Sequence, residues 1–143
     1  MNSKTPNRSE GLMTTAFAPI PAAHEAIVKD CIGAAIRVHR ELGPGFREVI
    51  YKRALYLELD SRGFTFECEK KILVRYRDWL IPGQTVDLIV ADTVLIEIKS
   101  LPRVRPRHRK QVLSYLRSTD VRIALLMNFN APMLKAGLER FVK

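Results

Sequence analysis

Two short apolar runs joined by a polar turn lie in residues 85–99, and this segment constrains the fold more than any other. β-Branched and aliphatic residues fill both runs, so they predict two paired antiparallel strands. A three-residue turn at residues 91–93 would place Asp87 directly opposite Glu97. The segment therefore predicts a β-hairpin that brings two acidic side chains together inside an otherwise apolar sheet.

Three charged residues interrupt the apolar runs of this hairpin: Asp87, Glu97 and Lys99. Directly opposed residues have Cβ atoms roughly 5 Å apart, so two carboxylates there would repel each other unless a cation lay between them. A hard divalent metal ion, with Lys99 beside it, is the natural candidate. The alternative is an exposed sheet edge on which charges only prevent aggregation.

Composition favours a single domain with an anionic partner. A chain of 143 residues with 47% hydrophobic content is long enough to bury one core. No stretch is long and apolar enough to span a bilayer, so no membrane partner is expected. The formal net charge of +9 points to nucleic acid as the partner, although a passive basic surface is the alternative reading.

Basic residues are clustered around the acidic pair in the sequence. Arginines of such a cluster would neutralise phosphates, while the carboxylates would hold a metal ion. One group follows the hairpin directly, and consists of Arg103, Arg105, Arg107, His108, Arg109 and Lys110. A second group precedes it, and consists of Lys70, Lys71, Arg75 and Arg77.

The two cysteines, Cys31 and Cys68, lie far apart on apolar-patterned segments and do not have the spacing of metal ligands. We interpret them as buried free thiols of a protein in the reducing cytoplasm.

Periodicity and turn residues predict one α/β domain at residues 23–143, preceded by a loosely attached leader at residues 1–22. The expected architecture is a mixed central sheet flanked by helices, with the third helix as the crossover between two parallel strands. The predicted helices are Ala23–Leu42, Arg47–Arg62 and Arg107–Arg117; the strands are Phe64–Glu69, Ile72–Tyr76, Gln84–Val90, Val94–Ser100 and Val121–Met127; residues 81–83 form a turn, and Pro132–Val142 a short helix and a last strand.

Two helices carry polar residues at helical spacing. Glu48 and Tyr51 share one face of the second helix, where Glu48 either leans toward the metal or only complements the helix dipole. On the third helix His108, Gln111 and Tyr115 form one stripe, which is either solvated or packed over the face that carries Lys99.

These motifs together resemble the GxxExxY protein family, a branch of the PD-(D/E)xK nuclease superfamily with a restriction-endonuclease-like core. The pattern Gln111-x-x-x-Tyr115 also resembles the motif that follows the Glu-x-Lys strand in RecB-like nucleases. Val86 stands where the superfamily has a proline before the aspartate. The resemblance covers residues 26–142 and rests on His39–Phe46, Glu48, Tyr51, Asp87, Glu97–Lys99, His108, Gln111, Tyr115–Leu116 and Leu126–Phe129.

The resemblance implies a metal-dependent nuclease that cleaves phosphodiester bonds. It does not supply the substrate, for which we expect DNA rather than RNA. Asp87, Glu97, the Ile98 carbonyl and Glu48 would hold Mg²⁺ or Mn²⁺. Lys99, Gln111 and Tyr115 would act on the water or on the scissile phosphate. Many relatives by fold act as dimers, so a homodimer is compatible with this reading.

Two other classes of protein fit the same residues. One is a non-catalytic nucleic-acid-binding module that retains the nuclease fold, and the other is a structural subunit whose charges form an interface. We expect His39 to pack at the end of its helix rather than act in the site.

Overall fold

A mixed five-stranded sheet, covered by two helices on one face and one helix on the other, forms the part of the chain that the computed structural model describes, residues 18–143. The elements are α1 (Ala22–Leu42), α2 (Glu48–Ser61), β1 (Phe66–Tyr76), β2 (Trp79–Val90), β3 (Val94–Lys99), α3 (Pro106–Arg117), β4 (Ile123–Asn128), a 3-10 helix (Leu134–Gly137) and β5 (Leu138–Val142). The strands lie in the order β1-β2-β3-β4-β5; β3 and β4 are parallel and the other neighbours antiparallel. The predicted α/β fold class is confirmed.

The sheet buries a separate apolar core on each face. Alternation along β3 explains the division, since Ile96 and Ile98 face α1 and α2 whereas Leu95 faces α3. The same alternation places Glu97 on the α3 face of the sheet. The Glu97 side chain therefore lies in an apolar layer formed by Val112, Leu116 and Leu126. This position is the starting point of the candidate site.

Helix α3 is the crossover that the sequence predicts between the parallel strands β3 and β4. Every residue of β4 is buried, because a strand between two neighbours and under helices has no solvated face. The amphipathic pattern of α1 is also confirmed, with Val28, Cys31 and Val38 on its buried face.

The outer part of the β1–β2 hairpin differs from the prediction. We expected separate strands at 64–69 and 72–76 and a turn at 81–83, but β1 is continuous and the turn is Arg77-Asp78. Tyr76 pairs with Trp79 across this two-residue turn, and Arg77 takes a φ of 54°, which such tight hairpins require. The proline signal at residue 82 was therefore misread as a chain reversal.

Pro82 is tolerated inside β2 because the pairing with β1 is irregular there. The register shifts between the pair Ile72–Gln84 and the pair Val74–Ile81, so the missing N–H of the proline interrupts no regular ladder. Gly83 beside it has a φ of 136°, a conformation that side chains disfavour.

Several smaller predictions can also be compared with the structure. Residues 1–17 of the predicted leader lie outside the described residues, and the guanidinium of Arg122 holds the Ala18 carbonyl at 2.7 Å. Both cysteines are free, but Cys68 is exposed rather than buried, because it lies on β1 at the edge of the sheet. Within residues 18–143 no helix has the length and apolar character needed to cross a membrane.

We predict that Gly137→Ala destabilises the protein. A Cβ atom at this position would overlap the Asn128 carbonyl oxygen and lie 3.0 Å from the Cβ of Ala131. Backbone atoms cannot move aside as a flexible side chain can, so we expect the free energy of unfolding to fall by about 1–3 kcal/mol, measured by urea denaturation.

Gly33→Ala is the matched control. Its Cβ would meet only the flexible guanidinium of Arg62 at 3.3 Å, and alanine is favoured over glycine in a helix by about 1 kcal/mol. This variant should unfold at the wild-type urea concentration or above it. A Gly137→Ala midpoint equal to that of wild type would contradict the prediction.

Candidate active site

Strands β2 and β3 separate where the two acidic residues meet. The predicted register is confirmed up to the pair Leu88–Ile96, after which the backbone ladder ends. The Asp87 N–H then donates to Oε1 of Glu97 at 2.8 Å, and the Ile98 N–H donates to Oδ2 of Asp87 at 2.8 Å. Each carboxylate thus accepts a backbone hydrogen bond from the other strand, and side chains replace the ladder at this point.

Both carboxylates are removed from solvent. Asp87 is 7% exposed and Glu97 is 3% exposed. Burial and the neighbouring charge of Asp87 raise the pKa of Glu97 to about 8, against the opposing effects of its backbone hydrogen bond and of Lys99 and Lys52. Nζ of Lys99 lies 4.0 Å from Oε2 of Glu97. A buried acidic pair of this kind requires a nearby cation.

The cation that the structure places against this pair is Lys52. Its Nζ lies 2.9 Å from Oδ1 of Asp87, 3.4 Å from Oε2 of Glu48 and 3.5 Å from Oε2 of Glu69. Burial alone would lower the pKa of Lys52, but the hydrogen bond to Asp87 and the charges of the three carboxylates together raise it. The ammonium therefore stays charged and holds carboxylates from three elements together.

Hydrogen bonds to the loop at residues 43–47 set the position of α2, which carries both Glu48 and Lys52. The Ser100 hydroxyl, directly after β3, donates to the Phe46 carbonyl at 2.6 Å. The Tyr51 hydroxyl accepts from the Phe46 N–H at 3.1 Å and donates to the Gly43 carbonyl. The first turn of α2 is thereby fixed next to the end of β3.

Two residues on which the family resemblance rests, Tyr51 and His39, have structural roles. The ring of Tyr51 stacks on Phe129 with centroids 4.8 Å apart, and its hydroxyl is used by the loop before α2. His39 lies within hydrogen-bond distance of the Ala131 carbonyl, with Nε2 2.8 Å from the oxygen. His39 therefore packs at the end of α1, as we expected.

Helix α3 brings one of its predicted residues to the acidic pair and leaves another in solvent. Tyr115 is 3% exposed, and burial together with the charges of Glu97 and Asp87 raises its pKa to about 12. Gln111 is exposed, and its side chain forms no hydrogen bond within residues 18–143. The stripe of polar residues on α3 is thus divided between the sheet and the solvent.

Two residues of the basic group that follows β3, His108 and Arg109, form contacts within the protein. Nδ1 of His108 accepts the Arg105 N–H at 2.8 Å and caps α3, while burial and the charge of Lys99 lower the pKa of His108. Nε of Arg109 contacts Glu139 at 2.7 Å. The side chains that stay exposed are those of Arg103, Arg105, Arg107 and Lys110.

This basic loop begins directly beside Lys99. Asn128, which pairs with Lys99 across β3 and β4, accepts the Leu101 N–H at 3.0 Å and donates to the Leu101 carbonyl at 2.9 Å. The amide of Asn128 thus anchors the start of the loop, and the exposed cations lie on the segment that leaves the end of β3.

Three residues of the site were missed by sequence reasoning. Lys52 lies four residues after Glu48, a spacing typical of an ordinary pair on a helix surface. Glu69 lies on β1 with a φ of 50°, a backbone conformation that strand patterns do not predict. The Tyr56 hydroxyl donates to the Asp87 carbonyl at 3.4 Å, and its position in the sequence resembles that of a core aromatic residue.

The donor chemistry of this pocket fits a hard cation. Within residues 18–143 no group of three or more His, Cys, Asp or Glu side chains is spaced to hold a metal ion as it stands. Yet carboxylate oxygens of Asp87, Glu48 and Glu69 already converge on one positive charge, and Glu97 adjoins them. Such oxygen donors are the ligands that Mg²⁺ and Mn²⁺ prefer.

Comparison with known proteins identifies the same segment. A family model described as the PD-(D/E)XK nuclease superfamily matches residues 25–141, which includes every residue of the acidic pocket. Neither a curated protein nor a solved structure matches the chain.

We predict that the metal-free protein becomes less stable as pH rises from about 4.5 to about 8. The unfolded chain releases the Glu97 proton near the ordinary pKa of 4.5, whereas the folded protein keeps it until about 8. Over this interval the folded state binds more protons, so the free energy of unfolding falls with pH. Urea unfolding in EDTA at several pH values measures the slope.

Glu97→Gln should remove the part of this slope that Glu97 contributes, because the amide is neutral at every pH and can still accept the Asp87 N–H. Glu67→Gln changes an exposed glutamate in the same way and should keep the slope. Equal slopes for wild type and Glu97→Gln would contradict the assignment.

Proposed function

Because the chain belongs to the PD-(D/E)XK nuclease superfamily, we propose that it is a divalent-metal-dependent nuclease that hydrolyses phosphodiester bonds of nucleic acid, DNA in preference to RNA. The observation that carries this proposal is the buried pair Asp87 and Glu97, joined by backbone hydrogen bonds at the point where β2 and β3 separate, with Lys99 on the same face as Glu97. Acidic groups buried at such cost are typical of a functional site.

Mg²⁺ or Mn²⁺ would be held by Asp87, Glu97, the Ile98 carbonyl and Glu48, with Glu69 at the margin of the pocket. When bound, the ion supplies positive charge that polarises a phosphate oxygen and activates water. Glu48 and Glu69 already face the Lys52 ammonium from α2 and β1, which supports their assignment to a cation-binding pocket.

The remaining residues act on the substrate directly. Lys99 carries a positive charge beside Glu97 and is placed to stabilise negative charge that develops on the scissile phosphate. The Tyr115 hydroxyl stays protonated at neutral pH, because its pKa is raised to about 12, so it can donate a hydrogen bond to a phosphate oxygen. Gln111 is exposed and would reach the substrate from the solvent side of α3.

The exposed cations after β3 would bind the strand on either side of the cleaved bond. Arg103, Arg105, Arg107 and Lys110 are exposed and lie on the segment that follows Lys99. Phosphates bound there release counterions, so binding should weaken steeply as the salt concentration rises.

One observation favours a second candidate function, a non-catalytic nucleic-acid-binding module. The Lys52 ammonium already contacts three carboxylates, so the pocket contains a cation of its own. Such a module would bind nucleic acid in a salt-sensitive way and would not cut it with any divalent metal.

We predict that Asp87→Asn and Lys99→Ala each lower the rate of metal-dependent cleavage by at least about 10²-fold, since the first removes a ligand of the metal ion and the second a positive charge at the reacting phosphate. The measurement is cleavage of end-labelled single-stranded, duplex and branched DNA, and of RNA, with Mg²⁺, Mn²⁺ or EDTA. Asp92→Asn is the matched control, because Asp92 is exposed in the turn of the same hairpin and asparagine tolerates its φ of 52°.

Cleavage by wild type and Asp92→Asn that is lost in the other two variants would support the nuclease. Salt-sensitive binding without cleavage under every metal would identify the binding module. Absence of both binding and cleavage would leave the structural subunit.

We further predict that Lys52→Ala binds Mn²⁺ more tightly than wild type, by about tenfold or more, because the ammonium competes with the ion for the same carboxylates. Titration calorimetry or the electron paramagnetic resonance of free Mn²⁺ measures the affinity without substrate. Lys70→Ala removes a lysine whose contact is the exposed Glu67, 2.7 Å away, and should leave Mn²⁺ binding unchanged. Equal or weaker binding by Lys52→Ala would show that Lys52 does not compete.

A further inference from the structure

The outer part of the β1–β2 hairpin, residues 73–81, exposes large apolar side chains and is called the hairpin arm below. Pairing of β2 with β3 begins only at Leu88, so in the described part of the chain no other strand covers the arm. At the base of the arm, Nε2 of Gln84 donates to the Ser114 hydroxyl of α3 at 2.9 Å. The exposed fractions are 48% for Leu73, 55% for Tyr76, 62% for Trp79, 51% for Leu80 and 48% for Ile81.

The tip of the arm carries a stack of aromatic rings and a cation. Tyr76 and Trp79 flank the turn, with ring centroids 6.3 Å apart and planes 19° from parallel. The guanidinium of Arg77 lies 5.4 Å from the centroid of the Tyr76 ring. Rings and guanidinium groups that are exposed together can stack on further flat groups.

The arm is basic as well as apolar. Arg75 and Arg77 lie within it and Lys71 precedes it, whereas Asp78 is its one acidic residue. A second copy of this chain, which carries a net charge of +9, would be repelled by such a surface. The partner that suits it is a polyanion with flat apolar groups, and nucleic acid with unpaired bases has both properties.

A cleft between the arm and the end of α3 points to the same partner. It has a volume of about 620 Å³, and Arg75 and Arg117 contribute positive charge to its lining. Two buried side-chain atoms of lining residues, Oε1 of Gln84 and Oγ1 of Thr119, form no hydrogen bond within residues 18–143. With two arginines and one acidic residue, Asp120, the lining carries a net positive charge, which suits the phosphates of a strand.

We propose that the hairpin arm binds unpaired bases of a nucleic-acid strand. Tyr76 and Trp79 stack on the bases, while Arg75, Arg77 and Arg117 contact the adjacent phosphates. The proposal rests on the proposed function for the presence of nucleic acid, and it narrows the substrate class to single strands, flaps or junctions. Duplex without unpaired bases would be held by charge alone.

Trp79 is the single tryptophan of the chain, so intrinsic tryptophan fluorescence reports on the arm alone. The experiment titrates the protein in EDTA with a short oligothymidylate and with an abasic strand of equal length. Both strands carry the same phosphates, and therefore a difference between them measures contact with bases. We expect quenching and tighter binding with the oligothymidylate, and neither with the abasic strand.

Variants test the same contact by fluorescence anisotropy of labelled strands. Trp79→Ala should weaken binding of oligothymidylate about tenfold and leave binding of the abasic strand unchanged. Tyr76→Leu should act in the same direction while it keeps the fluorescent reporter. Leu57→Ala is the control, since Leu57 is 73% exposed on α2 and should leave both affinities unchanged.

Equal binding of the two strands by wild type, with no quenching, would overturn the proposal. A second result would also overturn it: Trp79→Ala has a lower molar mass than wild type by light scattering but the same affinity for oligothymidylate. The arm would then be an interface between two copies of the chain. The two proposals can fail separately. Quenching by bases without metal-dependent cleavage would support base binding by the arm and reject the nuclease. Cleavage without quenching would support the nuclease and reject base binding by the arm.

Discussion

The burial of two carboxylates between β2 and β3 is the constraint on which the rest of the site depends. The carboxylates of Asp87 and Glu97 accept hydrogen bonds from backbone N–H groups where the ladder between the strands ends. Negative charge in so poorly solvated a place must be compensated. Lys52 meets this requirement from α2, and the hydrogen bond from the Ser100 hydroxyl to the Phe46 carbonyl holds the start of that helix at the end of β3. The same pocket would offer a hard cation its preferred ligands.

The apolar cores on both faces of the sheet explain why Glu97 and Lys99 are held in fixed positions. Ile96 and Ile98 anchor β3 to α1 and α2, while Leu95 anchors it to α3, so the strand between two cores cannot shift its register. Glu97 and Lys99 therefore keep their place on the α3 face, and the loop of exposed cations starts from a fixed end. In the proposed nuclease this rigidity would pre-organise the charges around a phosphate.

Chemistry and recognition would then belong to different parts of one small domain. The acidic pair Asp87 and Glu97 is buried and hydrogen-bonded to the backbone, whereas the hairpin arm is exposed, apolar and basic. The arm gains little from the cores, because its strands extend past the point where β2 pairs with β3. Contact with a substrate strand is one physical reason for a protein to leave Trp79 and Ile81 in solvent.

The sequence by itself determined the α/β class, the three helices, the crossover, and the register that sets Asp87 against Glu97, because alternation and turn length are local properties. It misread Pro82 as a turn, since only the irregular pairing with β1 shows that a strand can hold a proline there. Tertiary structure alone decided that Lys52 and Glu69 join the acidic pair, that Arg109 is bound to Glu139, and that Tyr115 is buried while Gln111 is exposed. Those outcomes depend on how helices and strands distant in sequence pack together, and no spacing along the chain records that packing.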